Sequence, residues 1–189
     1  MKRILIPILS LFILGCGDDP LPKPKGYLRL EYPQAVYKKA ITPLPFSFEK
    51  NELAEPITKV KSLGAIKGIN IKYPALKATI YLTYKTVTED NLDSLLRDAQ
   101  NLTQKHTLKA DEISQNLFEN KDTKVYGMLY EVGGDAASQS QFYLTDSINH
   151  FLSGSLYFYA KPNYDSIYPA SEYLKKDIKR IMESVRWKK

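Results

Sequence analysis

Hydrophobic and polar positions fall into distinct blocks along this chain. Ile4–Leu14 is an apolar run broken only by Pro7 and Ser10. A helix needs about 20 apolar residues to span a bilayer. The run is therefore too short for a membrane span and, following Lys2 and Arg3, reads as the hydrophobic region of a signal peptide. Tyr27–Tyr32 alternates and predicts a short strand or extended arm, stopped by Pro33. Residues 41–56 hold Pro43, Pro45 and Pro56 and predict irregular backbone, with a short strand at Phe46–Phe48. Ala65–Tyr73 alternates apolar with polar until Pro74, and Lys77–Val87, rich in Thr, Tyr and β-branched residues, predicts the next strand.

The period then changes. Thr88-Glu89-Asp90 predicts a helix start, with Thr88 as cap and the acids at the positive helix end. Leu92, Leu95, Leu96, Ala99 and Leu102 follow at helical spacing, a stripe expected to lie on a sheet, with Lys105, His106 and Lys109 at the far end. A strand near Ile113–Phe118 leads into three more. Val125–Val132 is apolar on both faces, Ser140, Phe142 and Leu144 alternate with Gln141, Tyr143 and Thr145, and Phe151–Ala160 places Leu152, Gly154, Leu156 and Phe158 on one face. Gly133-Gly134-Asp135 and Asp146-Ser147-Ile148-Asn149 are the turns between them, and turns this tight imply an antiparallel meander. A last helix is predicted near Ser166–Val185, with Pro169 in its first turn and Tyr173, Leu174, Ile178, Ile181, Met182 and Val185 as the buried stripe. The order of elements predicts one α+β domain, an antiparallel sheet flanked by at least two helices. The layout is similar to the PsbP/Mog1-type sandwich.

Cysteine usage sharpens the N-terminal reading. Cys16 is the single cysteine, and it follows Ile13-Leu14-Gly15. Aliphatic and small residues directly before a cysteine resemble the lipobox of bacterial lipoproteins. That resemblance implies cleavage after Gly15, a diacylglycerol thioether on Cys16 and a fatty acid, such as palmitate, on the new amino group. Two or more acyl chains anchor stably, where one anchors only marginally. The expected organisation is a signal peptide over 1–15, a lipidated cysteine and proline-rich tether over 16–26, and a globular domain over 27–189. Pro20, Pro22 and Pro24 favour a stiff, extended tether. Asp18 and Asp19 also resemble a surface-export signal, but a plain spacer is the preferred reading.

Charge and chemistry exclude several function classes. The formal net charge is +6, and removal of Lys2 and Arg3 lowers it by two. The basic residues are dispersed, which gives no nucleic-acid footprint. The two histidines, His106 and His150, belong to no metal-ligand spacing, so no metal and no cofactor is expected. Asp146, Ser147 and His150 are triad residue types within one hairpin turn, but no strand–Gly-x-Ser-x-Gly–helix elbow surrounds Ser147, which argues against a hydrolase. The expectation is a protein that is not an enzyme. Fourteen tyrosines against seven phenylalanines are the oddest feature of the composition. Tyr157, Tyr159 and Tyr164 are the candidate docking surface, because tyrosine offers rigid area with a polar tip. A sheet with half-wet faces is the other reading of the tyrosines, and the preferred one.

Several segments together carry a family resemblance. They are Pro22–Pro33 (PKPKGYLRLEYP), Phe142–Ser147 (FYLTDS), His150–Phe158 (HFLSGSLYF), Pro162–Ser166 (PNYDS), Asp177-Ile178 and Arg186-Trp187. With the lipobox in front, the chain resembles the gliding-motility-associated lipoprotein GldD family of Bacteroidetes over essentially its whole mature length. The resemblance implies an accessory lipoprotein of the cell envelope needed for gliding and tied to type IX protein secretion. It carries no catalytic residue. Protein–protein docking to envelope proteins of that machinery is the expected mechanism, at the periplasmic side of the outer membrane, with the inner membrane or cell surface as alternative locations. A surface lipoprotein that binds carbohydrate or another small ligand through its tyrosines is the alternative function.

Overall fold

The computed structural model describes residues 26, 29–105, 110–159 and 164–188. The signal-peptide, Cys16 and tether readings, and those on His106 and Lys109, lie outside the described residues. Seven antiparallel strands form the main sheet, in the order β4-β5-β6-β10-β9-β8-β7. They are β4 (Lys61–Leu63), β5 (Ile66–Tyr73), β6 (Ala78–Thr86), β7 (Glu112–Asn120), β8 (Val125–Gly133), β9 (Ser138–Thr145) and β10 (His150–Phe158). Two small ribbons lie beside it. β1 (Tyr37–Lys39) pairs with β3 (Glu49–Asn51), and β2 (Phe46–Ser47) pairs with the C-terminal β11 (Arg186–Trp187). The fold is α+β, as the order of periods predicts. Residues 29–36 form an arm without strand pairing, and the first strand begins at Tyr37.

Period-two alternation decides the two faces. On β5, Ile69, Ile71 and Tyr73 point inward, and their neighbours across the register are Leu82, Ile80 and Ala78. β10 continues the inner face with Leu152 and Leu156, and β9 with Phe142 and Leu144. Helix α2 (Tyr164–Ser184) packs its stripe of Leu174, Ile178, Ile181 and Met182 on that face. Fully burying one such side chain contributes about 1.5–3 kcal/mol. Gly127 and Gly154 make the packing close. A Cβ on Gly127 would collide with the Tyr143 carbonyl, and one on Gly154 would enter the Phe142 ring.

The single crossover explains the other helix. β6 lies in the middle of the sheet and β7 at its far edge, so the chain crosses the outer face between them. Helix α1 (Leu92–Gln104) makes that crossing. It buries Leu95 against Val87 and Phe151, with Leu92, Leu96, Ala99 and Tyr143 around them. Leu102 is more than a third exposed, and Thr103 takes the buried place instead, donating to Gln141 Oε1 at 3.1 Å.

Both helix starts differ from expectation. Thr88 does not cap α1. Asn91 Oδ1 accepts the Thr88 N–H at 2.9 Å, and its amide donates to the Thr86 carbonyl at 3.1 Å, so residues 88–91 form a turn and the helix begins at Leu92. α2 begins at Tyr164, where Asp135 Oδ1 accepts the Tyr164 backbone N–H at 2.8 Å. Pro169 therefore lies inside the helix, past its first turn.

Candidate functional site

The tyrosines singled out by composition occupy two places. Tyr157 and Tyr159 sit at the end of β10, on the outer face that α1 leaves open. Tyr157 is opposite Thr79 on β6, and its ring meets that of Tyr81 edge-on at 5.8 Å. Tyr159 Oη donates to Thr79 Oγ1 at 3.1 Å and lies 2.6 Å from Tyr81 Oη. That hydrogen bond, with burial behind it, pushes the Tyr81 hydroxyl up to about 12. Tyr159 moves the other way. Hydrogen bonding with Thr79 and Tyr81, then the charges of Lys72 and Lys61, hold it below the ordinary phenol value. Tyr164 lies apart, at the start of α2, with its ring edge-on to Tyr168 at 5.4 Å.

A second surface is the cleft between the arm and the first half of α2. It encloses about 610 Å³ and is lined by Leu30, Tyr32, Pro33, Tyr168, Pro169 and Tyr173, with Arg29, Glu172 and Lys176 also on its wall. Tyr32 stacks on Tyr173 at 5.0 Å, which fixes the arm to the helix. None of Tyr157, Tyr159 and Tyr164 lines it.

Behind Tyr173 lies a buried polar cluster. Asn51 Nδ2 donates to Tyr173 Oη at 3.0 Å and to the Asp177 carboxylate at 3.1 and 3.2 Å. Tyr37 Oη donates to Asp177 Oδ1 at 2.7 Å. Tyr73 is wholly buried near the same carboxylate, which acts on its hydroxyl, although the geometry falls short of a well-formed hydrogen bond. Burial raises the Asp177 carboxyl, against the opposing pull of these donors. Asp177 is 1% exposed, so its carboxyl ties elements of the fold together. The sequence held a signal for it. Asp177 falls three residues after Leu174 and four before Ile181, on the buried stripe.

The histidine hairpin has local roles. Asp146 Oδ1 accepts the backbone N–H groups of Ile148, Asn149 and His150 at 3.0, 2.8 and 2.8 Å. Burial alone would raise this carboxyl, but the three donors outweigh it and hold it below the usual range. Ser147 takes the left-handed turn position at φ 65°, and its N–H donates to Thr145 Oγ1 at 2.9 Å. His150 Nδ1 lies 2.9 Å from Tyr84 Oη, and its ring stacks on Trp187 at 4.9 Å and 5°. Among the described residues, no three His, Cys, Asp or Glu side chains gather as a metal site. No helix among them is long and apolar enough to cross a membrane.

No curated protein and no solved structure matches the chain. One family model does, that described as gliding motility lipoprotein GldD, and it matches residues 17–187. With nearly the whole length matched, the chain belongs to the family of the gliding motility lipoprotein GldD.

Proposed function

We propose that this protein serves gliding by docking an envelope protein of the type IX secretion machinery into the cleft between its N-terminal arm and α2. Family membership supplies the coarser statement, a lipoprotein with a role in gliding motility and a membrane-anchored place in the cell envelope. The finer reading places the anchor on Cys16, the domain on the periplasmic side of the outer membrane, and its action in binding and not in catalysis.

The observation that carries it is the cleft itself. Tyrosine and proline side chains line it, Leu30 stands 46% exposed within it, and both charge signs occur among its lining residues. Aromatic anchors inside a polar rim are the usual anatomy of a protein interface. The arm also follows the proposed anchor closely. An extended chain spans at most about 3.6 Å per residue, which keeps Arg29 within roughly 47 Å of a lipidated Cys16. Holding a partner there raises its effective concentration without new contacts.

The test compares colony spreading and secretion of a reporter in strains with matched protein levels. Leu30→Asp and Tyr32→Ala should impair both and should lose partners recovered with a tagged, detergent-solubilised wild type. Normal spreading and secretion in both variants would remove the cleft from the mechanism.

A further inference from the structure

The outer face of the sheet carries a second, independent arrangement. Across β5, β6 and β10 the rows read Lys72–Thr79–Tyr157, Asn70–Tyr81–Ser155 and Gly68–Thr83–Ser153, and Lys61 on β4 lies opposite Gly68. Glycine and small hydroxyl side chains keep this face low, and Tyr81, Tyr157 and Tyr159 rise at one end. Beside it is a cleft of about 210 Å³ lined by Glu55, Thr58, Lys59, Lys61, Asn70 and Lys72. The Glu55 N–H donates to the Lys72 carbonyl at 2.9 Å and pins the cleft's loop to β5.

Charge in this cleft is unbalanced. Three ammonium groups share it with one carboxylate, and among the described residues Lys59, Lys61 and Lys72 form no ion pair. The acids that pair elsewhere, Glu49, Glu52, Glu119, Glu131 and Glu172, serve other cations. Converging like charges repel unless a counter-charge enters. Lys72 shares the row of Thr79 and Tyr157 at the aromatic end of the face, and its charge with that of Lys61 helps lower the Tyr159 hydroxyl.

We propose that this face binds a phosphorylated sugar, with the phosphate in the cleft among Lys59, Lys61 and Lys72 and the sugar ring against Tyr159 and its neighbour Tyr81. A lysine ammonium binds phosphate as a compact point charge with three donors. Tyrosine supplies a rigid apolar ring for the sugar face with a hydroxyl at its tip. The partly exposed Thr83 and Ser153 hydroxyls and the Asn70 amide offer hydrogen bonds to the sugar's hydroxyl groups. This site is separate from the docking cleft and stands or falls without it. Two sources present the same chemistry, a free phosphosugar and the phosphorylated headgroup of a glycolipid.

The test is calorimetric titration of the full chain in detergent micelles. The probes are glucose 6-phosphate, unphosphorylated glucose, and phosphorylated or dephosphorylated lipid A carried in the micelle. At least one phosphorylated probe should bind, and its unphosphorylated counterpart should bind at least tenfold more weakly. The Lys61→Ala/Lys72→Ala double variant should lose at least tenfold in affinity, Tyr159→Ala should also weaken binding, and Lys121→Ala, an exposed lysine at the far edge of the sheet, should not. Binding of glucose 6-phosphate alone assigns the free sugar, and binding of lipid A alone assigns the headgroup. No binding of either phosphorylated probe, or equal binding by the double variant and the wild type, overturns the proposal. Both lysines are exposed, so their loss does not threaten the fold.

Discussion

Tyr37 donates a 2.7 Å hydrogen bond to Asp177 across 140 residues of sequence, joining the first small ribbon to the last helix. Asn51, the partner of Tyr37 in the β1–β3 register, donates to the same carboxylate. Arg180 adds an outer clasp, lying over the Tyr37 ring at 5.6 Å and pairing with Glu49 at 2.6 Å. The ribbon is thus held to α2 through polar side chains at its centre and a cation at its rim.

Tyr37→Phe removes one donor and leaves the ring in place. A hydrogen bond to a charged group contributes about 1.5–3 kcal/mol, so the variant's unfolding free energy should fall by that amount and its urea midpoint should drop accordingly. Asn51→Ala should cost more, since Asn51 Oδ1 also accepts the Leu53 N–H at 3.0 Å. Equal urea midpoints for wild type and Tyr37→Phe would mean that the carboxylate is satisfied without the ribbon.

The two shifted carboxyls should give pH effects of opposite sign. Asp177 is raised by burial, so the folded chain binds its proton more tightly than the unfolded chain. Its contribution is fully present below the ordinary carboxylate value, about 3.9, and is lost as pH rises through the raised value. Asp146 is lowered, so its contribution is present above about 3.9 and is lost as pH falls through the depressed value. The urea midpoint of wild type minus that of Asp177→Asn should fall between pH 4 and pH 7. Wild type minus Asp146→Asn should instead fall on acidification below pH 4. A flat Asp177 difference would contradict a desolvated carboxyl.

The hairpins were legible because strand alternation is local. Ile69-Asn70-Ile71-Lys72-Tyr73 announces its two faces without any partner. The crossover helix was legible from Leu92, Leu95, Leu96 and Ala99. What escaped depends on distant residues. Thr88 looks like a cap until Asn91 folds back on it. The α2 start depends on Asp135, which no pattern within the helix reveals. Asp177 sits on a stripe position, but its donors come from residues more than a hundred positions earlier. Tyr157, Tyr159 and Tyr164 are close in sequence, and only the end of β10 and the start of α2 separate them into two surfaces.

Gly127 and Gly154 should resist substitution although neither lies in a turn. Alanine at Gly154 must displace the Phe142 ring, and alanine at Gly127 must move the Tyr143 carbonyl, which is held in the sheet. Overpacking typically costs about 1–3 kcal/mol. Gly127→Ala should exceed Gly154→Ala, because backbone yields less than a side chain. Thermal unfolding of the two variants checks the order, and the reverse order would show that β9 shifts more easily than the Phe142 ring.

His150 separates a structural hairpin from a reactive one. Its ring lies flat on Trp187 and its Nδ1 faces Tyr84 Oη, so it helps hold β11 to the end of the sheet. Removing the ring in His150→Ala should cost about 0.5–1.5 kcal/mol from the lost aromatic pair, with a further loss if Tyr84 Oη is left unpaired. His150→Phe keeps the stack and discards every proton-transfer capacity. If the residue is structural, His150→Phe should spread and secrete like wild type at matched protein level, and His150→Ala should track only its own drop in abundance. Ser147→Ala should behave like His150→Phe in spreading and secretion, since Ser147 acts through its backbone N–H, which donates to Thr145 Oγ1. A His150→Phe strain that made full amounts of folded protein and failed to glide would require a proton carrier at this position, and the hairpin would then be the place to look for a reaction.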